Sequence, residues 1–167
     1  METYIIIVGF ENYSVSDLGN VKNNKTGRIL KPRFDSHGYY RINLYQQKIM
    51  QVVKIHQLAA KAFLQNLENK RNVDHIDNNK TNNNLINLRW ATSTENGQNA
   101  TMSKRNTSGS KGVSLNKNTQ KWQAYIQIDG IPIHLGSYDN IEDAKQARII
   151  KANEAFGVFV NKCEKLI

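Results

Sequence analysis

Asp74 and His75 stand side by side near the start of VDHIDNNKTNNNLINLRWATSTENGQN, residues 73–99, in which eight side chains are asparagine. An acid beside an imidazole, followed by amides, is a set that can hydrolyse a phosphate ester. A carboxylate and an amide carbonyl are hard oxygen donors that suit Mg²⁺ or Mn²⁺ rather than zinc, and two protein ligands leave positions for phosphate oxygens and water. With an ordinary pKa of about 6.5, His75 is the group able to deprotonate a water at neutral pH. That water can attack phosphorus in line while a cation shared by Asp74 and Asn96 stabilises the charge developing on the phosphoryl and leaving oxygens. The other amides, Asn78, Asn79, Asn82, Asn83, Asn84 and Asn99, read as loop formers explained by turn propensity and coding bias.

Such chemistry needs elements to position it. NVDHI and LRWAT are short β-like runs around the solvated loop DNNKTNNN, and Thr92 with Glu95 forms a capping box that opens a helix over STENGQN. Asn96 falls in the first turn of that helix, so a hairpin packed on it can bring Asp74 and Asn96 together. On a straight strand His75 projects to the face opposite Asp74. Upstream, IHQLAAKAFLQNL has helical spacing and begins with His56. Before it, GYYRINLY alternates, with Tyr40, Ile42 and Leu44 on one face and Tyr39, Arg41, Asn43 and Tyr45 on the other. The second face is polar, basic and aromatic, which makes Arg41, Tyr39 and Asn43 candidates to face DNA, whereas His37 falls in a solvated turn.

Downstream, TMSKRNTSGSKG has no apolar period and reads as a linker. KWQAYIQI then alternates, placing Trp122, Ala124, Ile126 and Ile128 opposite Lys121, Gln123, Tyr125 and Gln127. Asp129-Gly130 signals a hairpin into IPIHLGSY. A helix follows, with Asn140 as N-cap and Gly157 as terminator. Its Ile141, Ala144, Ala147, Ala152 and Ala155 share one arc with Arg148 and Lys151.

The chain has 167 residues, 39% of them hydrophobic, and a formal net charge of +9, which points to a polyanionic partner. Residues 1–55 carry +4, 56–100 carry +1 and 101–167 carry +4, as expected if basic flanks grip a backbone around a centre that needs its own acid. The single cysteine, Cys163, excludes an internal disulfide and a Cys-rich zinc cluster. Ile5–Val8 is far shorter than the ~20 residues of a membrane span and lacks a secretory leader, so the expectation is an intracellular protein with no membrane segment.

Residues 73–99 resemble the HNH nuclease motif in its Asp-His, Asn, Asn form, as found in phage and viral homing endonucleases. The resemblance implies Asp74 as first metal ligand, His75 as general base, and Asn87 as the middle asparagine that fixes the loop bearing the base. It implies Asn96 as second ligand, where many relatives have histidine. YSVSDLGNVKNNKTGRILKP, GYYRINL and KIHQLAAKAF are similar to the module that precedes such motifs, including His56, which either meets a phosphate near the site or orients its helix. KGVSLNKNTQKWQAYI, HLGSYDNIEDA and the closing FG resemble the three-strand-plus-helix DNA-binding domain of plant ethylene-response factors, whose sheet enters the major groove. That likeness implies Lys111, Ser114, Asn116, Tyr125, Gln127 and His134 as DNA-facing residues, with backbone contacts from Lys117 and Lys121.

Together these readings give an α+β fold. A small antiparallel sheet module (1–55) precedes a central ββα-metal nuclease motif with its leading helix (56–101), a linker (102–112) and a three-stranded antiparallel sheet plus helix (113–167). The expected activity is site-specific cleavage of double-stranded DNA by a monomer with one Mg²⁺ or Mn²⁺ and a histidine base, nicking one strand. The alternatives are a catalytically inactive HNH-fold DNA-binding regulator and an RNA-directed protein. The latter is disfavoured because no aromatic-rich motif for stacking single-stranded bases is present.

Overall fold

A computed structural model describes residues 1–166. The chain divides into two compact units, Met1–Ser93 and Thr94–Ile167. The fold is mixed α and β, with several small antiparallel sheets and few helices, as the sequence patterns imply.

In the first unit β1 (Tyr4–Ile7), β2 (Phe10–Ser16) and β3 (Val21–Asn23) form one antiparallel sheet, and β4 (Arg33–Phe34), β5 (Tyr40–Gln46) and β6 (Ile49–Lys54) form another. β6 runs directly into α1 (Ile55–Phe63), and β7 (Asn72–His75) pairs with β8 (Leu88–Ala91) in a hairpin. Alternation in β5 works as the pleat requires: Ile42 and Leu44 are buried while Arg41 and Tyr45 are exposed. A single apolar core joins Val15, Val21, Ile42 and Leu44 from the sheets to Ile55, Leu58 and Ala59 of α1 and to Val73 and Leu88 of the hairpin.

The helical pattern of α1 extends to Leu67 in the sequence, but the helix ends at Phe63. Leu64 is already extended, and Asn66 closes a local loop in which its Oδ1 accepts from the Lys70 N–H and its Nδ2 donates to the Lys70 carbonyl. An asparagine that bonds backbone this way competes with the next helical turn. The Leu64 carbonyl released by the break accepts the Trp90 indole N–H at 3.1 Å, which fixes α1 to β8.

The second unit begins within α2 (Ser93–Gln98), the helix expected over STENGQN. Its sheet has the order β11-β10-β9, with β9 (Val113–Asn116), β10 (Lys121–Ile128) and β11 (Ile131–Tyr138) antiparallel. Asp129 and Gly130 both take positive φ, 51° and 82°, which gives the tight hairpin turn the dipeptide signals. α3 (Ile141–Phe156) starts at Asn140, whose side chain accepts from Glu142 N–H, and stops at Gly157.

The buried stripe of α3 is Ala144, Arg148, Ala152 and Phe156, a strict four-residue step, while Ala155 is exposed. Arg148 can lie in that stripe because Glu164, 1% exposed, pairs with its guanidinium at 3.0 Å; Lys111 pairs with the same carboxylate at 3.3 Å. Cys163 is exposed. Among the described residues no helix is long and apolar enough to cross a membrane.

Candidate active site around His75

β7 delivers Asp74 and His75, 4% and 5% exposed respectively, into the interior of the first unit. The Asp74 Oδ2 accepts from Arg89 Nε at 2.8 Å and lies 2.7 Å from Nη2 as an ion pair, a contact made across the hairpin because Asp74 and Arg89 are register partners. Nothing local in the sequence marks Arg89 as a site residue, since cross-strand register is set by loop length and side-chain packing.

The His75 Nε2 lies 3.1 Å from Asn83 Oδ1. An amide oxygen only accepts, so Nε2 carries the proton and Nδ1 holds the lone pair. Burial pushes the imidazole below its ordinary pKa, against the opposing pull of Asn83, Asp77 and Asp74. It is therefore neutral at pH 7, the state a general base needs.

Asn83, grouped above with the loop formers, is 5% exposed and sets the tautomer of His75. Its loop lies against the turn after β2: a Cβ on Gly19 would come within 2.6 Å of Asn83 Cβ, and Gly19 has φ +82°. Leu85 N–H also donates to the Asp17 carbonyl at 2.7 Å. No local signal distinguishes Asn83 from its neighbours, because its role depends on a strand some 60 residues upstream.

Asn87 holds the intervening loop at three residues, Asp77, Asn82 and Ile76. Its Oδ1 accepts from Asp77 N–H at 3.0 Å, its Nδ2 donates to Asp77 Oδ1 and to the Asn82 carbonyl at 2.9 Å each, and its own carbonyl accepts from Ile76 N–H. Burial opposes ionisation of Asp77, but the donors of Asn82, Asn79 and Asn87 outweigh it and hold the carboxyl below the usual carboxylate range. The loop is thus knit by charge-assisted bonds from amides that also look like compositional noise.

Above His75 sits an aromatic cluster. The His56 ring meets His75 edge-on at 5.0 Å between centroids, and Tyr39 lies 4.9 Å from His56 and 5.8 Å from His75. Lys54 Nζ and Lys80 Nζ lie 4.7 and 4.8 Å from the Tyr39 centroid, with Lys80 also donating to the His37 carbonyl. Tyr39 precedes β5 and belongs with these histidines, apart from the outer strand face on which alternation would put it.

His56 is 4% exposed, and burial first, then the charges of His75 and Lys54, lower its pKa to about 3. The unfolded chain, with an ordinary histidine, binds the extra proton between about pH 6.5 and 3. Stability from this source is therefore complete above pH 6.5 and is lost as pH falls toward 3. Taking the protein from pH 7 to pH 5 should cost about 2 kcal/mol through His56 alone. Urea unfolding of the wild type and His56→Phe at both pH values checks this; parallel losses in the two proteins would refute it.

Asn96 is an exposed residue of α2, in the second unit. Among the described residues no three His, Cys, Asp or Glu side chains form a cluster fit for a metal ion. The donors the motif offers, one carboxylate and one amide, match a hard cation that keeps water and phosphate oxygens in its shell.

Arg41 and Asn43 line a cavity of about 530 Å³ with Arg28, Lys31 and Arg33, a concentration of four guanidinium or ammonium groups beside β5. On the second unit Ser114, Tyr125, Gln127 and His134 are exposed; Tyr125 and His134 are cross-strand partners with rings 4.8 Å apart. Lys117 is exposed, and Asn116 accepts from Asn118 and Thr119 N–H and so shapes the turn. Lys111 differs from the rest: its ammonium bonds the Gln98 and Ala100 carbonyls and Glu164, which engages its donors inside the unit instead of presenting them to a ligand.

A family model described as HNH endonuclease matches residues 53–98, and one described as NUMOD4 motif matches residues 2–45. The DNA endonuclease I-HmuI of Bacillus phage SP01 is 38% identical over 127 residues, which cover 75% of this chain and 72% of that protein. The uncharacterized HNH endonuclease L247 of Acanthamoeba polyphaga mimivirus is 44% identical over 110 residues, 60% of this chain and 27% of the relative. The chain thus spans about a quarter of the length of the mimivirus relatives it matches. A solved structure of DNA binding and cleavage by the HNH homing endonuclease I-HmuI is similar with a TM-score of 0.56 at 31% identity, covering 86% of this chain and 82% of that one.

Proposed function

The chain belongs to the HNH endonuclease family, and from that premise we propose that it is a site-specific DNA endonuclease of the homing type that hydrolyses a phosphodiester of double-stranded DNA. The observation that supports this most is His75: a buried, neutral imidazole beside Asp74, with its Nε2–H directed to Asn83 and its lone pair on Nδ1. In this reading Nδ1 takes a proton from the attacking water, and Asn83 holds the ring through the change to imidazolium. Asn87 keeps the loop from Asp77 to Asn82 closed, so that the ring stays in place. Tyr39, Lys54 and Lys80 border the base, and the Lys80 charge favours an anionic substrate there.

HNH nucleases generally use a divalent metal. Here Asp74 and Asn96 are the residues the motif assigns to it, and hard oxygens favour Mg²⁺ or Mn²⁺. When bound, the ion supplies positive charge against which the phosphoryl and leaving oxygens develop theirs. Arg89 holds the Asp74 carboxylate through its Oδ2.

Arg41 and Asn43, with the neighbouring Arg28, Lys31 and Arg33, grip the duplex backbone. Ser114, Asn116, Lys117, Lys121, Tyr125, Gln127 and His134 present the sheet of the second unit to DNA in the manner of ethylene-response-factor domains. A chain with one such centre acts as a monomer, cuts one strand per engagement, and nicks. Incubation with supercoiled plasmid should give open circles with Mg²⁺ or Mn²⁺ and none with EDTA; plasmid that stays supercoiled under all three conditions rejects the proposal.

The Lys121 ammonium pairs with the exposed Asp139 at 3.3 Å, a pair weak enough to yield to a phosphate. Lys121→Ala should weaken binding to any duplex and lower the slope of log affinity against log salt by about 1. An unchanged slope in a fluorescence-anisotropy titration removes Lys121 from the interface.

A further inference from the structure

α1 buries Ile55, His56, Leu58, Ala59 and Ala60, and His56 is the polar member of that set. A histidine kept there for packing alone would be expected to hydrogen-bond, since a buried polar atom without a partner is unfavourable. Neither ring nitrogen does. Among the described residues Nδ1 is sealed from solvent and has no partner, and Nε2, which is not so sealed, bonds none of them either.

A buried N–H without an acceptor is rarer than an under-used lone pair, so Nδ1 is the bare nitrogen and Nε2 carries the proton. The ring is 5.0 Å from that of His75, and Tyr39, with Lys54 and Lys80 over its ring, packs against both histidines. Lys54 is paired with Asp35 at 3.5 Å, so the Lys80 charge is the one that favours an anion beside His75. A neutral N–H next to it adds what a mobile ammonium lacks, a fixed direction.

We propose that His56 is a second substrate-contacting imidazole of this centre, donating from Nε2 to a phosphate oxygen of the strand that His75 serves. The proposal rests on the endonuclease reading above and gives the two histidines separate tasks. His75 exchanges a proton; His56 stays neutral and orients the phosphate. His56 cannot replace His75 as base, because an Nε2 lone pair would require the proton to sit on the sealed Nδ1.

His56→Phe keeps a ring of similar size in the core and deletes the donor, while His56→Gln retains one. With a mapped duplex substrate, His56→Phe should lower kcat on the order of 10²-fold, the effect of losing one preorganised donor. KM and the acid limb of the pH–rate profile should stay as in the wild type, and His56→Gln should recover part of kcat. Wild-type-like nicking by His56→Phe overturns the assignment and leaves the endonuclease reading intact; a wild type that does not nick rejects both.

Should the Phe variant fail to fold, ¹⁵N-histidine NMR of the wild-type protein decides. The expected spectrum has His56 as the neutral Nε2–H tautomer, with its Nε2 resonance shifted by added duplex in Ca²⁺. An Nδ1–H tautomer, or an Nε2 signal indifferent to DNA, overturns the proposal.

Discussion

Replacing His75 with alanine should slow nicking by about 10²- to 10⁴-fold, the usual contribution of a positioned general base. DNA affinity should remain within about threefold of the wild type, since the contacts assigned to backbone grip lie on and beside β5 and on the sheet of the second unit. Gel-shift titration in Ca²⁺ and plasmid nicking in Mg²⁺ separate the two quantities.

Asn83→Ala provides a graded companion. It removes the acceptor of the Nε2–H at 3.1 Å and lets the other tautomer compete, so its loss should be smaller than that of His75→Ala and carried by kcat. A His75→Ala protein that nicks at the wild-type rate would assign the base to another group.

The second large effect concerns the fold. Glu164 is 1% exposed and faces Arg148, 5% exposed, at 3.0 Å, with Lys111 at 3.3 Å. Deleting the acid leaves a buried guanidinium without its counter-charge, which costs about 3–5 kcal/mol in comparable pairs. Glu164→Ala should therefore unfold the second unit at markedly lower urea.

The double variant Glu164→Leu with Arg148→Met removes both charges and should regain most of that loss, because a buried pair contributes little over apolar residues of similar volume. Urea curves followed by the fluorescence of Trp122, on β10, report this unit. A Glu164→Ala midpoint equal to the wild type would mean that solvent reaches Arg148 freely. Lys111 also bonds the Gln98 and Ala100 carbonyls, so Glu164 indirectly ties the end of α2 to residues 102–112, where the sequence suggests only a polar linker.

Local chemistry was readable wherever the cause is local. Asn140 and Gly157 bound α3, Asp129-Gly130 turns the hairpin, and alternation sorts Ile42 and Leu44 from Arg41 because each obeys its neighbours in sequence. The motif residues Asp74, His75 and Asn87 are found on or beside the β7–β8 hairpin, as the spacing implies.

Tertiary partners were less accessible. Asn83 looked like one of many loop asparagines because its significance is a bond to His75 and a close approach to Gly19. Lys111 looked like a surface cation because its acceptors include a glutamate more than 50 positions away. Arg89 carries no local mark for a similar reason, since pairing of β7 with β8 sets it opposite Asp74. Charge and pattern mark segments well, yet they do not say which segments share a core.

That core has a bearing on inheritance. Ile42 and Leu44 pack in the same cluster as Val73 and Leu88, with α1 among them. A gene exchange that spliced foreign strands onto this nuclease between β6 and α1 would have to re-invent a packed interior at the same stroke. Foreign strands joined at that point are thus expected to be tolerated only where they supply apolar side chains in the places of Ile42 and Leu44.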